Sequence, residues 1–216
     1  MIKFNRVYKI FGSDIKALED INFSVEKGEF VFLTGPSGAG KTTVLKLLYR
    51  EEIPTMGSII VNETDIGHLN AGKVPFYRRG IGFVFQDFKL LFDRSVHENI
   101  ALPLEITGCN PEYTKAMASE AVRKIGLAGR EKLNPWHLSG GEKQKVAIAR
   151  ALITNPPVLL ADEPTGNLDD FSTWEIMEMF TEINKKGTTV IVATHNREIM
   201  EKLGGRVIKL DKGRMA

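Results

Sequence analysis

The chain has 216 residues, 43% of them hydrophobic and 26% charged, with a formal net charge of +2. That length suits one compact domain with a sizeable core, and the near-neutral charge excludes a broad basic field for nucleic acid. Cys109 is the single cysteine, which excludes an internal disulfide and fits a reducing cytosol. No apolar run approaches the ~20 residues of a membrane span, and the first six residues lack a secretory apolar core. The expectation is a soluble, cytoplasmic chain that reaches a membrane only through a partner.

Residues 2–11 and 21–25 alternate apolar and polar side chains and read as edge or half-buried strands. Residues 30–34, FVFLT, are an apolar run followed by glycine, the pattern of a buried parallel strand. A helix follows over 41–49, with Val44, Leu45, Leu47 and Leu48 on its buried stripe. Short strands are expected at 58–61 and 81–85. From Asp87 to about Pro157 the character changes. Helical spacing runs through 111–125 at Tyr113, Met117, Ala121 and Ile125, and 142–153 is a second helical stretch. This part reads as a mostly helical insertion. Strands return at 158–161 and 189–193, with a helix over 171–184 between them, and 206–210 is a last strand before a turn at Gly213. The alternation implies one α/β domain whose mostly parallel sheet is covered on both faces. Its core is 1–86 and 158–216, and the helical part is about 87–157. Ligands of such sheets bind at the carboxyl ends of the strands, where the polar residues after Thr34, Ala161 and Ala193 fall.

Gly35-Pro36-Ser37-Gly38-Ala39-Gly40-Lys41-Thr42 fits G-x-x-x-x-G-K-[ST] between a strand and a helix. The glycines permit positive φ and carry no Cβ to obstruct phosphate oxygens. Successive N–H groups make an anion nest, and the helix behind adds the positive end of its dipole. Lys41 is placed for the β- and γ-phosphates and Thr42 for Mg²⁺; Thr43 is grouped with the nucleotide-binding residues. Asp162 and Glu163 end an apolar run. Asp162 suits a water-mediated Mg²⁺ contact, and Glu163, one residue on, can polarise an attacking water. His195 follows a third strand and is expected to hold the water–phosphate geometry. Gln86, after 81–85, has an amide able to accept from water and to ligate the metal. Ser139, Gly140 and Gly141 precede a helix and offer a second anion clamp, while Ser139 and Glu142 also read as a capping box.

Together and in this order, these segments resemble the nucleotide-binding subunit of ATP-binding-cassette (ABC) systems, over nearly the whole chain. Residues 35–42 match the Walker A loop, Gln86 the Q-loop and 138–142 the signature. Residues 158–163 match Walker B, 166–169 the D-loop, and His195 the switch histidine. The resemblance implies the P-loop ABC ATPase fold: a mostly parallel core sheet, an antiparallel β edge and an inserted helical subdomain. It implies ATP hydrolysis with Mg²⁺ by Glu163, His195, Lys41 and Gln86, the metal falling to Thr42, Gln86 and Asp162. It also implies a head-to-tail dimer in which each ATP lies on one Walker A loop and under the other subunit's signature. An aromatic residue near the N-terminus stacks on adenine in this family, and Phe11 is the better match, with Tyr8 as its rival.

Three further features resemble the family's bacterial cell-division branch, whose ATPase works with an integral membrane partner. They are residues 74–79 (VPFYRR), 85–87 (FQD) and 162–170 (DEPTGNLDD). The lipoprotein-releasing and macrolide-exporter ATPases share the DEPTGNLD stretch. Lys143 and Lys145 stand where relatives commonly carry Gln and Arg; lysine keeps the charge of arginine without its fork. The run from Asp87 to Phe92, DFKLLF, is the expected docking region for the membrane partner, with Phe88, Leu90, Leu91 and Phe92 as groove residues.

Overall fold

The structure, a computed structural model, describes residues 1–12 and 14–216. In chain order the strands and helices are β1 (Ile2–Phe11), β2 (Ile15–Val25), β3 (Phe30–Thr34), α1 (Lys41–Leu48), β4 (Met56–Val61), β5 (Thr64–Asp65), α2 (Val74–Arg78), β6 (Ile81–Val84), α3 (Val96–Ile106), α4 (Pro111–Lys124), α5 (Gly140–Leu152), β7 (Val158–Asp162), α6 (Asp170–Lys185), β8 (Thr189–Ala193), α7 (Arg197–Leu203), β9 (Arg206–Asp211) and β10 (Arg214–Met215).

The strands form an antiparallel sheet in the order β2-β1-β4-β5 and a larger sheet in the order β10-β9-β3-β8-β7-β6. In the larger sheet β9, β3, β8, β7 and β6 run parallel, and β10 closes the edge antiparallel to β9. Strand alternation sends Val31 and Leu33 to one face and Phe32 to the other. On the first face α1 lies between the two sheets: Val44, Leu45, Leu47 and Leu48 share a core with Phe4, Ile21 and Ile59 of the antiparallel sheet and Leu160 and Ile191 of the parallel one. On the second face Phe32, Leu159, Val190 and Val192 pack against Ile176, Met177 and Phe180 of α6, Ile148 of α5 and Ile199 of α7. Between β6 and β7, helices α3, α4 and α5 build a core of their own around Ile100, Leu104, Val122 and Val146. Helix α5 belongs to both: Val146 and Ala147 face the helical core, Ile148 the sheet.

Several elements differ from the sequence reading, each for a local reason. Strand β2 begins at Ile15 rather than at 21, because irregular register against β1 interrupts its alternation. Arg6 and Asp20 both take positive φ there, and the Arg6 N–H donates to Asn22 Oδ1 at 2.8 Å. Helix α3 carries Pro103 in its interior, a residue that reads as a breaker, yet Ser95 and Glu98 form a full capping box at its start. Helix α1 stops at Leu48 with Tyr49 as its C-cap, α4 at Lys124, and α5 begins at Gly140 rather than 142. No helix among the described residues is long and apolar enough to cross a membrane.

Candidate active site at the strand ends

Register collects the site. Leu33 of β3 pairs with Ala193 of β8, and Ala193 pairs with Asp162 of β7. These three residues therefore form one row across the sheet, about 10 Å wide at the usual strand spacing. One step beyond that row stand Thr34, Thr194 and Glu163; one step further, Gly35 and His195. Three segments far apart in the chain thus deliver their polar residues to one edge.

The phosphate loop is held by packing as well as by its own turns. A Cβ on Gly35 would collide with the Leu210 carbonyl oxygen, and one on Gly40 would come within 2.9 Å of the Ala17 carbonyl oxygen. Gly38, at φ +76, faces open space. Buried Ala39 accepts a hydrogen bond at 3.1 Å from the Gly213 N–H, and the Gly213 carbonyl accepts one at 2.7 Å from the Glu19 N–H. The Gly213 turn, read in the sequence only as a turn, is therefore a buttress joining the loop to β2. Its signal there is a lone glycine, too common to single out. Pro36 and Ser37 are exposed on the loop, and Thr43 is half-buried in the first turn of α1.

Lys41, 8% exposed, donates to the Gly35 and Pro36 carbonyls at 2.8 and 3.3 Å. Its ammonium lies 3.6 Å from Glu163 Oε1. The same oxygen is 3.0 Å from His195 Nδ1. Glu163 is well enclosed and His195 mostly open to solvent. The Glu163 backbone is left-handed, φ 44, and its N–H donates to the Ala193 carbonyl at 2.9 Å. Backbone strain of this kind concentrates at functional sites. Thr42 Oγ1 donates to Asp162 Oδ1 at 3.2 Å. Burial pushes the Asp162 carboxyl up, with the Thr42 hydrogen bond opposing that and the nearby Glu163 adding to it. Hydroxyl and carboxylate are hard oxygen donors of the kind Mg²⁺ takes alongside phosphate and water, so the pair fits the expected ion.

Gln86 stands beside the segment that follows Glu163. Strand β6 ends at Val84, so Gln86 is two residues past it, exposed. Its carbonyl accepts from Asn167 Nδ2 at 3.4 Å, and its amide borders Gly166. Phe11 sits half-buried at the end of β1, paired with Ile15, and the Lys9 ammonium lies 4.7 Å from its ring centroid. Tyr8, its rival, pairs with Met56 of β4.

At the signature, Ser139 caps α5: its Oγ accepts from the Glu142 N–H at 3.2 Å, and Glu142 Oε2 accepts from the Ser139 N–H at 2.9 Å. A Cβ on Gly141 would come within 2.7 Å of Ser172 Oγ, and one on Gly140 within 3.2 Å of Leu168. The signature glycines thus admit the D-loop and the start of α6. Lys145 forms an ion pair with Glu175 of α6 at 2.8 Å, a contact that needs charge but no fork. Helix α5 packs against α3, α4, α6 and β6, whereas α1 packs against β2, β7 and β8. In the expected docking run, Leu90 is core, 5% exposed among α3–α5, which corrects its assignment to a groove. Phe88 packs partly against that core. Leu91 is exposed, and the Phe92 ring lies tilted against the exposed Trp136, centroids 4.3 Å apart.

Residues 18–166 match the ABC transporter family model. The chain belongs to that family. It is 47% identical over 213 residues to the cell division ATP-binding protein FtsE of Bacillus subtilis, covering 99% of this chain and 93% of that protein. It is 45% identical over 215 residues to FtsE of Escherichia coli, covering 100% and 97%. Among solved structures, an ATP-binding cassette captured as a dimer in a post-hydrolysis state with ADP and Pi matches with a TM-score of 0.91 and 36% identity, covering 100% of this chain and 96% of that one. The cbiO1 protein of Clostridium perfringens, part of an ABC transporter complex, matches at 0.90 and 28% identity, covering 100% and 86%. The ABC ATPase fold and the ATPase assignment follow.

Proposed function

We propose that this chain is the ATP-hydrolysing subunit of a cell-division complex, in which ATP-driven pairing of two copies is read by an integral membrane protein resembling FtsX. The observation that carries the catalytic part is the meeting of Lys41, Glu163 and His195 around one carboxylate oxygen, at 3.6 and 3.0 Å, beside the Thr42–Asp162 pair. The cell-division part is supported by the identity to FtsE proteins over nearly the whole chain.

The phosphate loop seats the triphosphate, and Lys41 exchanges its loop carbonyls for phosphate oxygens. Thr42 and Asp162 would hold Mg²⁺, which when bound draws charge from the phosphates. Glu163 accepts the proton of the attacking water, and His195, hydrogen-bonded to that carboxylate, holds its orientation. Phe11 stacks on the base, an interaction worth ~1–3 kcal/mol in base–aromatic contacts generally. Ser139, Gly140, Gly141 and Glu142 open α5 against Leu168 and Ser172, whereas the phosphate loop opens α1, an arrangement that supports their use on the nucleotide of a second copy. That ATP-bound assembly is a head-to-tail homodimer at the inner face of the cell membrane. The docking surface for the membrane partner lies near Asp87–Phe92, on the side chains that Leu90 leaves exposed.

A Glu163→Gln variant is expected to bind ATP, pair in its presence and release phosphate far more slowly than the parent. Phosphate release and size-exclusion chromatography read both outcomes, and undiminished turnover would remove Glu163 from the base role. Pull-down from membranes with that variant and ATP identifies the integral partner. Recovery of a larger permease would favour a lipoprotein-releasing or macrolide-exporter type of transporter instead.

A further inference from the structure

The segment after Gln86 is held in an unusual way. Phe88 and Lys89 are consecutive non-glycine residues with left-handed backbones, φ 61 and 47. L-residues enter that region at a cost; the other such pair among the described residues, Asn62–Glu63, is the two-residue turn of the β4–β5 hairpin, whereas Phe88 and Lys89 have no hairpin to hold them. Arg150 holds them instead: Nη1 donates to the Lys89 carbonyl at 2.6 Å and Nη2 to the Phe88 carbonyl at 2.8 Å. Two carbonyls side by side match the two arms of a guanidinium fork, which a lysine ammonium cannot reproduce. Arg150 is half-buried, and burial pushes its proton affinity down. On the other side of Gln86, Phe85 is fixed by the Phe83 ring at 4.3 Å and the Tyr49 ring at 6.5 Å. Gln86 therefore lies between a fixed aromatic cluster and a fork-held strained turn.

Arg150 stands in the last turn of α5, whose first turn is the signature. One rigid helix of 13 residues, about 20 Å long, thus carries the signature at one end and the restraint on the turn beyond Gln86 at the other. We propose that Arg150 is a positioning residue for hydrolysis: its fork holds the Phe88–Lys89 turn left-handed and so sets where Gln86 stands relative to the nucleotide. The proposal rests on the reading above that Gln86 takes part in hydrolysis.

The test measures MgATP turnover and the melting midpoint of the full chain in four forms: parent, Gln86→Ala, Arg150→Lys, and Arg150→Lys with Lys89→Gly. Arg150→Lys is expected to lower kcat about tenfold or more with KM for MgATP within about twofold, the pattern of lost positioning rather than lost binding. Glycine adopts the left-handed conformation freely, so adding Lys89→Gly is expected to recover most of the lost kcat. Parental kcat in Arg150→Lys overturns the proposal, as does a kcat loss that Lys89→Gly leaves untouched. A loss of kcat that only tracks a fall in the melting midpoint makes Arg150 a structural staple and also overturns it. Undiminished turnover in Gln86→Ala instead sinks the underlying role of Gln86, so the two failures are told apart.

Discussion

Glu163 shows how a single residue carries both fold and chemistry. Its N–H extends the β7–β8 pairing while its φ of 44 turns the side chain towards Lys41 and His195. Such a conformation costs of order 1–3 kcal/mol and is kept where the surroundings over-determine it. The glycines of the phosphate loop divide by the same reasoning. Gly35→Ala drives a Cβ into the Leu210 carbonyl, whereas Gly38→Ala meets open space and strains only its own backbone. Calorimetric titration with ATP should therefore show binding abolished by Gly35→Ala and only weakened by Gly38→Ala. Asp162 is a second trade. Burial disfavours its charge, so the ionised group costs stability at neutral pH in the ligand-free protein. Asp162→Asn is expected to raise the thermal midpoint without nucleotide and to lose the gain from added MgATP, both read in one melting series.

At the scale of elements, α5 is the most constrained piece. Its start must cap the helix, admit α6 at Gly141 and leave Ser139 exposed; its end must reach the turn after Gln86. Ser139→Ala removes the cap, a loss of ~1 kcal/mol, which for a chain this size lowers the melting midpoint by ~2–4 °C. A larger drop would mean that Ser139 supports more than its own helix. Elements with a strong period were legible before the fold was known: β3, α1, β7, α6 and β8 lie where the apolar runs place them. Those that escaped notice have physical excuses. The N-terminal half of β2 hides behind a broken register, α3 behind Pro103, and β5 and β10 are two-residue strands. Helix α7, seven residues capped by Asn196, is too short for its period to stand out.

For the whole molecule, the proposed use of the α5 start on the nucleotide of a second copy predicts complementation. Lys41→Ala spoils one half of a composite site and Ser139→Arg, at an exposed position, the other. In a head-to-tail pair of one subunit of each kind, both lesions fall on one nucleotide and the other site is intact. Mixing the two inactive proteins should therefore restore turnover, measured as phosphate release against mixing ratio; a mixture as inactive as its components would argue against shared sites. The sequence by itself determined the chemistry available, because Gly35–Thr42, Asp162–Glu163, Ser139–Glu142 and His195 are local patterns whose residue types and order suffice to name the family. It also determined the strand ends on which Gly35–Thr42, Asp162–Glu163 and His195 sit, since each of these follows an apolar run. Only the tertiary structure decided which of them meet. The row Leu33–Ala193–Asp162 exists because β8 lies between β3 and β7, a neighbourhood set by packing on both faces of the sheet. The same long-range packing put Leu90 in the core, Gly213 under the phosphate loop and Arg150 on the turn beyond Gln86, contacts between residues too distant in the chain for any spacing to record.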